Sequence, residues 1–114
     1  MTQIIARIKS WRVGMALGLL LLLVSVACEP LPPNAEFGVL PETGQSPLEV
    51  HFIDLSLGEI DTWEWDFDND GRMDSTESNP WHTYHDPGTY TVSLTVSGIG
   101  GSDVEVKVDY LEVT

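Results

Sequence analysis

Apolar and polar residues alternate with a period of two along most of the chain after residue 47. The pattern occurs in four stretches, residues 48–53, 63–68, 90–96 and 104–109. Side chains of a β-strand point alternately to opposite faces, so each stretch predicts a strand with one buried face. Turn residues such as Asp70-Gly71 and Asp86-Pro87-Gly88 separate the stretches. Short strands at this spacing are typical of an antiparallel β-sandwich.

The last stretch contains a change of phase. Val104, Val106 and Val108 have one parity, whereas Leu111 and Val113 have the other. A continuous strand cannot bury both sets. We therefore predict a bulge near residues 109–110 that inserts one residue and returns all five side chains to one face.

The N-terminal region has a different pattern. Residues 1–12 carry three basic residues and no acid, and residues 13–27 form an uncharged run of 15. A basic segment followed by a short apolar run is typical of a secretory signal peptide, here residues 1–27. A spanning helix usually needs ~20 apolar residues. An uncleaved membrane anchor is the alternative interpretation.

The only cysteine follows this run directly. The sequence Val-Ser-Val-Ala-Cys at 24–28 resembles a bacterial lipobox. The resemblance implies cleavage before Cys28, lipidation of its thiol, and an exported protein held by a lipid anchor at the outer membrane or cell surface. Residues 28–34 would then form a lipidated, proline-rich tether. Ordinary cleavage that leaves Cys28 as an idle thiol is the alternative.

Cleavage would change the charge of the remaining chain. All eighteen acidic residues lie after Cys28, together with only two basic residues, Arg72 and Lys107, so the formal charge there is −16. Such a surface repels nucleic acid and anionic lipid headgroups, which excludes a nucleic-acid partner. A single cysteine also excludes an internal disulfide.

Three linked segments resemble the PKD domain family, named after the polycystic kidney disease protein. They are Trp-Asp-Phe at 65–67, Asn-Pro-Trp-His-Thr-Tyr at 79–84 and Pro-Gly-Thr-Tyr-Thr-Val at 87–92. The resemblance implies that residues 35–114 form an all-β, immunoglobulin-like antiparallel sandwich of about seven strands. It also implies contact with an extracellular protein or polysaccharide. A structural spacer, or a remnant of a longer surface protein, is the alternative function.

Several of these residues have structural interpretations. Trp65 and Phe67 share a face and are expected to fill the core. Tyr84 or Tyr90 is expected to anchor a chain corner through a bond from its hydroxyl to the backbone.

One segment has the spacing of a calcium-binding loop. With Asp66 as position 1, acids fall at positions 1, 3, 5, 9 and 12, and glycine is at position 6. Calcium takes six to eight oxygen ligands, from alternate carboxylates and a backbone carbonyl. The predicted Ca²⁺ ligands are Asp66, Asp68, Asp70, Arg72 through its carbonyl, Asp74 and Glu77. Flanking helices are absent, so a hairpin with an Asp-Gly turn and solvated acids is the alternative.

Two tryptophans are candidate ligand contacts. Trp81 lies in a predicted loop after Pro80, and Trp63 lies at the start of a predicted strand. No nucleophile motif or paired histidine indicates a catalytic centre, and paired acids without a pocket do not indicate a glycosidase. The sequence therefore predicts a binding module, not an enzyme.

Overall fold

Seven strands form in the part of the chain that the computed structural model describes, residues 29–114. The predicted signal peptide and Cys28 lie outside the described residues. Within them, no helix has the length and apolar character needed to cross a membrane. The strands are β1 (Phe37–Leu40), β2 (Thr43–Gly44), β3 (Leu48–Asp54), β4 (Thr62–Asp66), β5 (Trp81–Tyr84), β6 (Gly88–Gly98) and β7 (Gly101–Val113).

The strands form two sheets, which confirms the predicted all-β sandwich. One sheet has the order β1-β3-β5, and the other has the order β2-β7-β6-β4. All pairs are antiparallel except the two-residue pairing of β2 with the end of β7. The chain thus leaves the first sheet after β1 and joins the second through β2.

Trp65 lies at the centre of the core, as predicted. It is fully buried and makes edge contacts with Phe37 at 5.2 Å and Phe52 at 5.3 Å between ring centroids. Phe67 is also buried, as predicted, at 4.6 Å from Phe52. Aromatic pairs in this geometry add to the stabilisation that burial alone provides. Apolar side chains from both sheets complete the core: Ala35, Val39, Val50, Tyr84, Val92, Leu94, Val96, Leu111 and Val113.

The sequence predicted a tyrosine anchor at Tyr84 or Tyr90, and both hydroxyls bond to the backbone. The buried Tyr84 hydroxyl donates to the Phe67 carbonyl at 2.7 Å, and the Tyr90 hydroxyl donates to the Asp86 carbonyl at 2.7 Å. The first bond satisfies a carbonyl beside the core, where an unpaired polar group is costly. It therefore ties the end of β4 to β5 across the sandwich.

Strand β7 corrects one sequence prediction. An irregularity does occur where predicted, because Tyr90 pairs with Leu111 whereas Val92 pairs with Lys107. It inserts two residues, not one, and so preserves parity. Lys107 and Leu111 consequently lie on the same inward side, and the predicted burial of the valines is wrong: Val104, Val106 and Val108 are 53%, 47% and 71% exposed.

Charged residues occupy the inward side of β7 instead, at the margin of the sandwich. Asp103 accepts a bond from the Ala35 amide at 2.8 Å. Lys107 Nζ lies 2.9 Å from a carboxylate oxygen of Glu36 and 5.3 Å from the centroid of the Phe37 ring. The long lysine side chain thus covers apolar surface with its methylenes while its ammonium group remains paired.

Candidate functional site

The acidic loop follows β4 and is closed by its own backbone. The Trp65 amide donates to the Ser75 carbonyl at 2.9 Å, and the Asp74 amide donates to the Trp65 carbonyl at 2.7 Å. Asn69 and Gly71 have φ angles of 57° and 88°. Glycine adopts such values without steric cost, and asparagine tolerates them better than most residues. The loop therefore turns sharply where the sequence placed its glycine.

This geometry brings four of the predicted calcium ligands together. Asp66, Asp68, Asp70 and Asp74 each offer a carboxylate oxygen, and these atoms all lie within 4.8 Å of one another. Some of the carboxylates also organise the loop. Asp66 accepts from the Gly71 amide at 2.9 Å, and Asp74 accepts from the Phe67 amide at 2.8 Å.

The crowded acids have unequal electrostatics. Partial burial, a hydrogen bond with Asp66 and the charges of Asp70 and Asp74 raise the pKa of Asp68 above its usual value. Partial burial also opposes ionisation of Asp66, but the amides of Gly71 and Asp70 outweigh it and lower its pKa. The loop therefore stabilises the ionised form of Asp66 and disfavours the ionised form of Asp68. A bound cation or a proton would relieve this imbalance.

Glu77 and Arg72 do not lie in this four-acid group. The Glu77 carbonyl accepts a bond from the Trp65 indole at 2.7 Å, which ties the loop end to the core. The Arg72 amide donates to Asp70 Oδ1 at 2.9 Å, so its backbone belongs to the same turn. Glu77 is the twelfth residue of the loop, where the spacing predicted a bidentate ligand. Its backbone thus makes a structural contact with the core.

Trp63 and Trp81 lie on different sheets. Trp63 on β4 packs against the core, and its indole nitrogen donates to Asp54 Oδ2 of β3 at 2.7 Å. It therefore links the two sheets. The Trp63 side chain is only partly buried, and its contact with a ligand stays a prediction.

Trp81 lies on the outer face of the three-stranded sheet and is 60% exposed. Its ring is stacked on the imidazole of His51, with centroids 4.2 Å apart and planes 2° from parallel. The strand register places Leu40, His51 and Trp81 directly opposite one another across β1, β3 and β5. Leu40 is 64% exposed. We call these three residues the Trp81 platform.

His51 and Leu40 were not predicted as partners of Trp81. The three residues lie far apart in the chain and meet only through the pairing of three strands. Neighbouring strands are ~4.8 Å apart, so the row extends about 10 Å across the sheet. The position of Trp81 in a predicted loop after Pro80 is the only signal that the sequence offers.

A family model described as PKD domain matches residues 31–113. No curated protein sequence matches the chain. Among solved structures, the PKD1 domain of Vibrio anguillarum Epp is 32% identical, covering 75% of this chain and 100% of that one, with a TM-score of 0.59. The PKD1 domain of the Vibrio cholerae metalloprotease PrtV is 30% identical, covering 72% and 99%, with a TM-score of 0.57.

A third structure belongs to work on the promiscuous specificity of carbohydrate-binding modules from the β-sandwich superfamily. It is 31% identical with a TM-score of 0.64 and covers 75% of this chain. The matching region spans only 36% of that protein. The resemblance therefore concerns one domain of a longer chain.

Proposed function

Because the chain belongs to the PKD domain family, we propose that it is an extracytoplasmic interaction module that binds a polysaccharide on the Trp81 platform. The observation that carries this proposal is a large aromatic ring, 60% exposed, stacked against His51 on the outer face of the three-stranded sheet. Exposed apolar surface of this kind marks interaction sites in soluble domains. The similarity to carbohydrate-binding modules favours a carbohydrate over other ligands.

The geometry suits a sugar ring. The faces of pyranose rings present C–H groups that pack against an aromatic plane, while the hydroxyl groups at the edge remain hydrated. Because His51 covers one face of the Trp81 ring, the sugar would pack on the other face. His51 already restrains the Trp81 side chain, so little rotamer freedom is lost on binding. Thr83 and Glu49, paired in the next row of the same sheet, supply polar groups beside the platform for hydroxyls.

The charge of the chain narrows the class of polysaccharide. The formal charge of −16 after residue 28 repels anionic polymers at low ionic strength. We therefore expect a neutral or basic glycan, and weaker binding of any polysaccharide that carries carboxylate or sulfate groups.

The test is a binding assay of the full chain on insoluble neutral polysaccharides such as chitin and cellulose. Trp81→Ala is expected to weaken binding tenfold or more, about 1.4 kcal/mol, because it removes the only large aromatic surface of the platform. Ile99→Ala, which truncates a side chain 77% exposed in the β6–β7 turn, is the matched control. Equal binding by both variants would place the ligand elsewhere. No binding by the unmodified chain would favour a protein ligand or a spacer role.

We also propose that the module is attached to the membrane through a lipid on Cys28. The support is the lipobox-like sequence at 24–28 and the proline-rich segment that follows. Several acyl chains bind a membrane firmly, since each buried methylene contributes ~0.8 kcal/mol. Cells fed labelled palmitate should label the native chain and not Cys28→Ala. Equal labelling of the two chains would exclude this anchor.

Calcium binding by the acidic loop is a third proposal, supported by the grouping of Asp66, Asp68, Asp70 and Asp74. Calcium prefers six to eight oxygens, so these acids would need carbonyls or waters to complete the shell. A site filled at 100 times its dissociation constant adds ~2.7 kcal/mol to stability. Thermal unfolding with calcium should therefore occur at a higher temperature than with chelator, and Asp68→Asn should remove the difference. Identical curves for the native chain would exclude the site.

A further inference from the structure

We propose that two copies of the chain associate through the free edge of β7, residues 102–108, in an antiparallel pair centred on Val106. Strand β7 is 13 residues long, but β2 pairs only with Glu112 and Val113. Along residues 102–108, β6 is the one strand paired with β7 among the described residues. The other side of this segment is an unpaired strand edge, which is a site for the addition of a strand.

Hydrogen bonds in the sheet identify which backbone groups lie on that edge. The Asp61 amide donates to the Ser97 carbonyl at 2.8 Å, so Ser97 faces the β4 side of β6. Backbone groups of successive strand residues alternate in direction, so Val96 faces β7, as Leu94 and Val92 do. The residues opposite these three, Asp103, Glu105 and Lys107, consequently face β6. The intervening residues of β7, which are Ser102, Val104, Val106 and Val108, direct their N–H and C=O groups to the free edge.

The outward side chains along this edge carry no charge. Val104, Val106 and Val108 lie in a row on the outer face and are 53%, 47% and 71% exposed. Natural edge strands often carry charges on either face, a proline or a bulge that prevents pairing. Here the charged residues lie on the inward face, where Glu105 and Lys107 of two copies can complement each other. This segment has β-branched residues, which favour strand pairing, and its irregularity begins only after Lys107.

The edge is complementary to itself in one register. A two-fold axis at Val106 places Val106 opposite Val106 of the second copy and Val104 opposite its Val108. All three valines face the edge, so each pair exchanges two backbone hydrogen bonds. Their side chains then form a continuous apolar row across the outer face of an eight-stranded sheet.

Charge selects this register over its neighbours. With the axis at Val106, Glu105 lies opposite Lys107 of the second copy, an attractive pair. A shift of the pairing by two residues one way places Glu105 opposite Glu105, and the other way places Lys107 opposite Lys107. Directly opposed like charges are destabilising. Asp103 would face Asp109 of the second copy, which limits the pairing to residues 104–108.

The test uses cysteine cross-linking of the full chain under mild oxidation, with the unmodified chain as the control for Cys28. Opposed residues in a hydrogen-bonded pair have Cα atoms ~5.5 Å apart, within the ~4.4–6.8 Å range of disulfides. Val106→Cys is therefore expected to form linked dimers. Val104→Cys is the matched control, because its copies would be four residues out of register, ~13 Å along the strand. We expect about tenfold less dimer from it.

Two further results decide the proposal. A mixture of Val104→Cys and Val108→Cys should recover the cross-link, because those positions are opposed. Equal cross-linking by Val104→Cys alone and Val106→Cys would indicate random collision and overturn the register.

Sedimentation of the full chain in detergent, measured as a function of concentration, provides a test that does not depend on cysteine. Val106→Lys should shift the chain to monomer, whereas Thr95→Lys on β6 should not. A chain that is monomeric at every concentration would overturn the proposal.

Discussion

Strands β6 and β7 are neighbours in one sheet and show the same alternation of apolar and polar residues. The apolar residues of β6 face the core, whereas the polar residues face inward along residues 103–107 of β7. On β6 the apolar side chains Val92, Leu94 and Val96 are fully buried. On β7 the valines at 104, 106 and 108 lie outside, and charged residues lie opposite the buried side chains of β6. An alternating pattern thus identifies a strand and its two faces, and the pairing with neighbouring strands decides which face is buried.

The cause of this difference is the register of β7. The turn between β6 and β7 pairs Gly98 with Gly101. A Cβ on Gly98 would clash with the Glu59 carbonyl oxygen, so only glycine fits there. From this turn onward, odd-numbered residues of β7 face inward. The two-residue irregularity keeps that parity, and Leu111 and Val113 reach the core.

The largest expected effect tests burial directly with one substitution at two sites. Val96→Ala removes methyl groups from a fully buried position and should lower the free energy of unfolding by about 2 kcal/mol. Val106→Ala on β7 should lower it by less than about 0.5 kcal/mol. Chemical denaturation at a concentration too low for self-association measures both. Equal losses would mean that the faces of β7 are assigned incorrectly.

The next effect concerns the irregularity that separates the two halves of β7. Asp109 has a φ of 51°, and its amide donates to Thr91 Oγ1 at 3.0 Å. A β-branched residue is strained at this angle, so Asp109→Val should cost about 1–2 kcal/mol. Asp109→Gly should be tolerated, since glycine adopts positive φ freely. If both variants unfold at the same denaturant concentration, the irregularity carries no backbone constraint.

The smallest effect concerns the ion pair on the inward side of β7. The Lys107 ammonium and the Phe37 amide donate hydrogen bonds to Glu36 and lower its pKa below the ordinary value of 4.5. A carboxyl group with a depressed pKa stabilises the fold above its unfolded pKa, and this contribution is lost as the pH falls through the folded pKa. The Glu36 side chain is about half-exposed, so solvent screens the pair and we expect less than about 1 kcal/mol.

Unfolding measured between pH 6 and pH 3 should show this contribution for the native chain. Lys107→Met should reduce it, because the main hydrogen bond to Glu36 is then absent. Glu59→Gln, at an exposed position in the β3–β4 connection, serves as the control and should retain the pH dependence near Glu36. A native chain and a Lys107→Met variant with parallel pH profiles would show that the ion pair has no energetic role.

Much of the fold could be predicted because the alternation in β3, β4 and β6 agrees with their final burial. Trp65 and Phe67 were expected in the core and are there. Strand β1 was not predicted, since its pattern of Phe, Gly, Val and Leu is too short to separate from a loop. The grouping of acids in the loop after β4 was predicted because these residues are close in sequence, so local turn geometry suffices to bring four of them together.

The Trp81 platform and the β7 edge could not be predicted in the same way. Leu40, His51 and Trp81 become neighbours only when three strands pair in one register. The valines of β7 remain outside because their partner strand and the preceding turn set the parity of the whole strand. Each of these features depends on contacts between residues distant in the chain, which a local pattern does not encode.

The amino-acid sequence by itself determined the period of each strand, the positions of the turns, the acidic loop and the excess of negative charge. These features depend on residues within a few positions of one another, where backbone geometry and side-chain chemistry act locally. Only the tertiary structure decided which faces are buried, because burial is a property of paired strands and stacked sheets. The tertiary structure placed Trp63, from a predicted strand, against the core and Trp81, from a predicted loop, at the surface. The local sequence around each tryptophan does not distinguish these two outcomes.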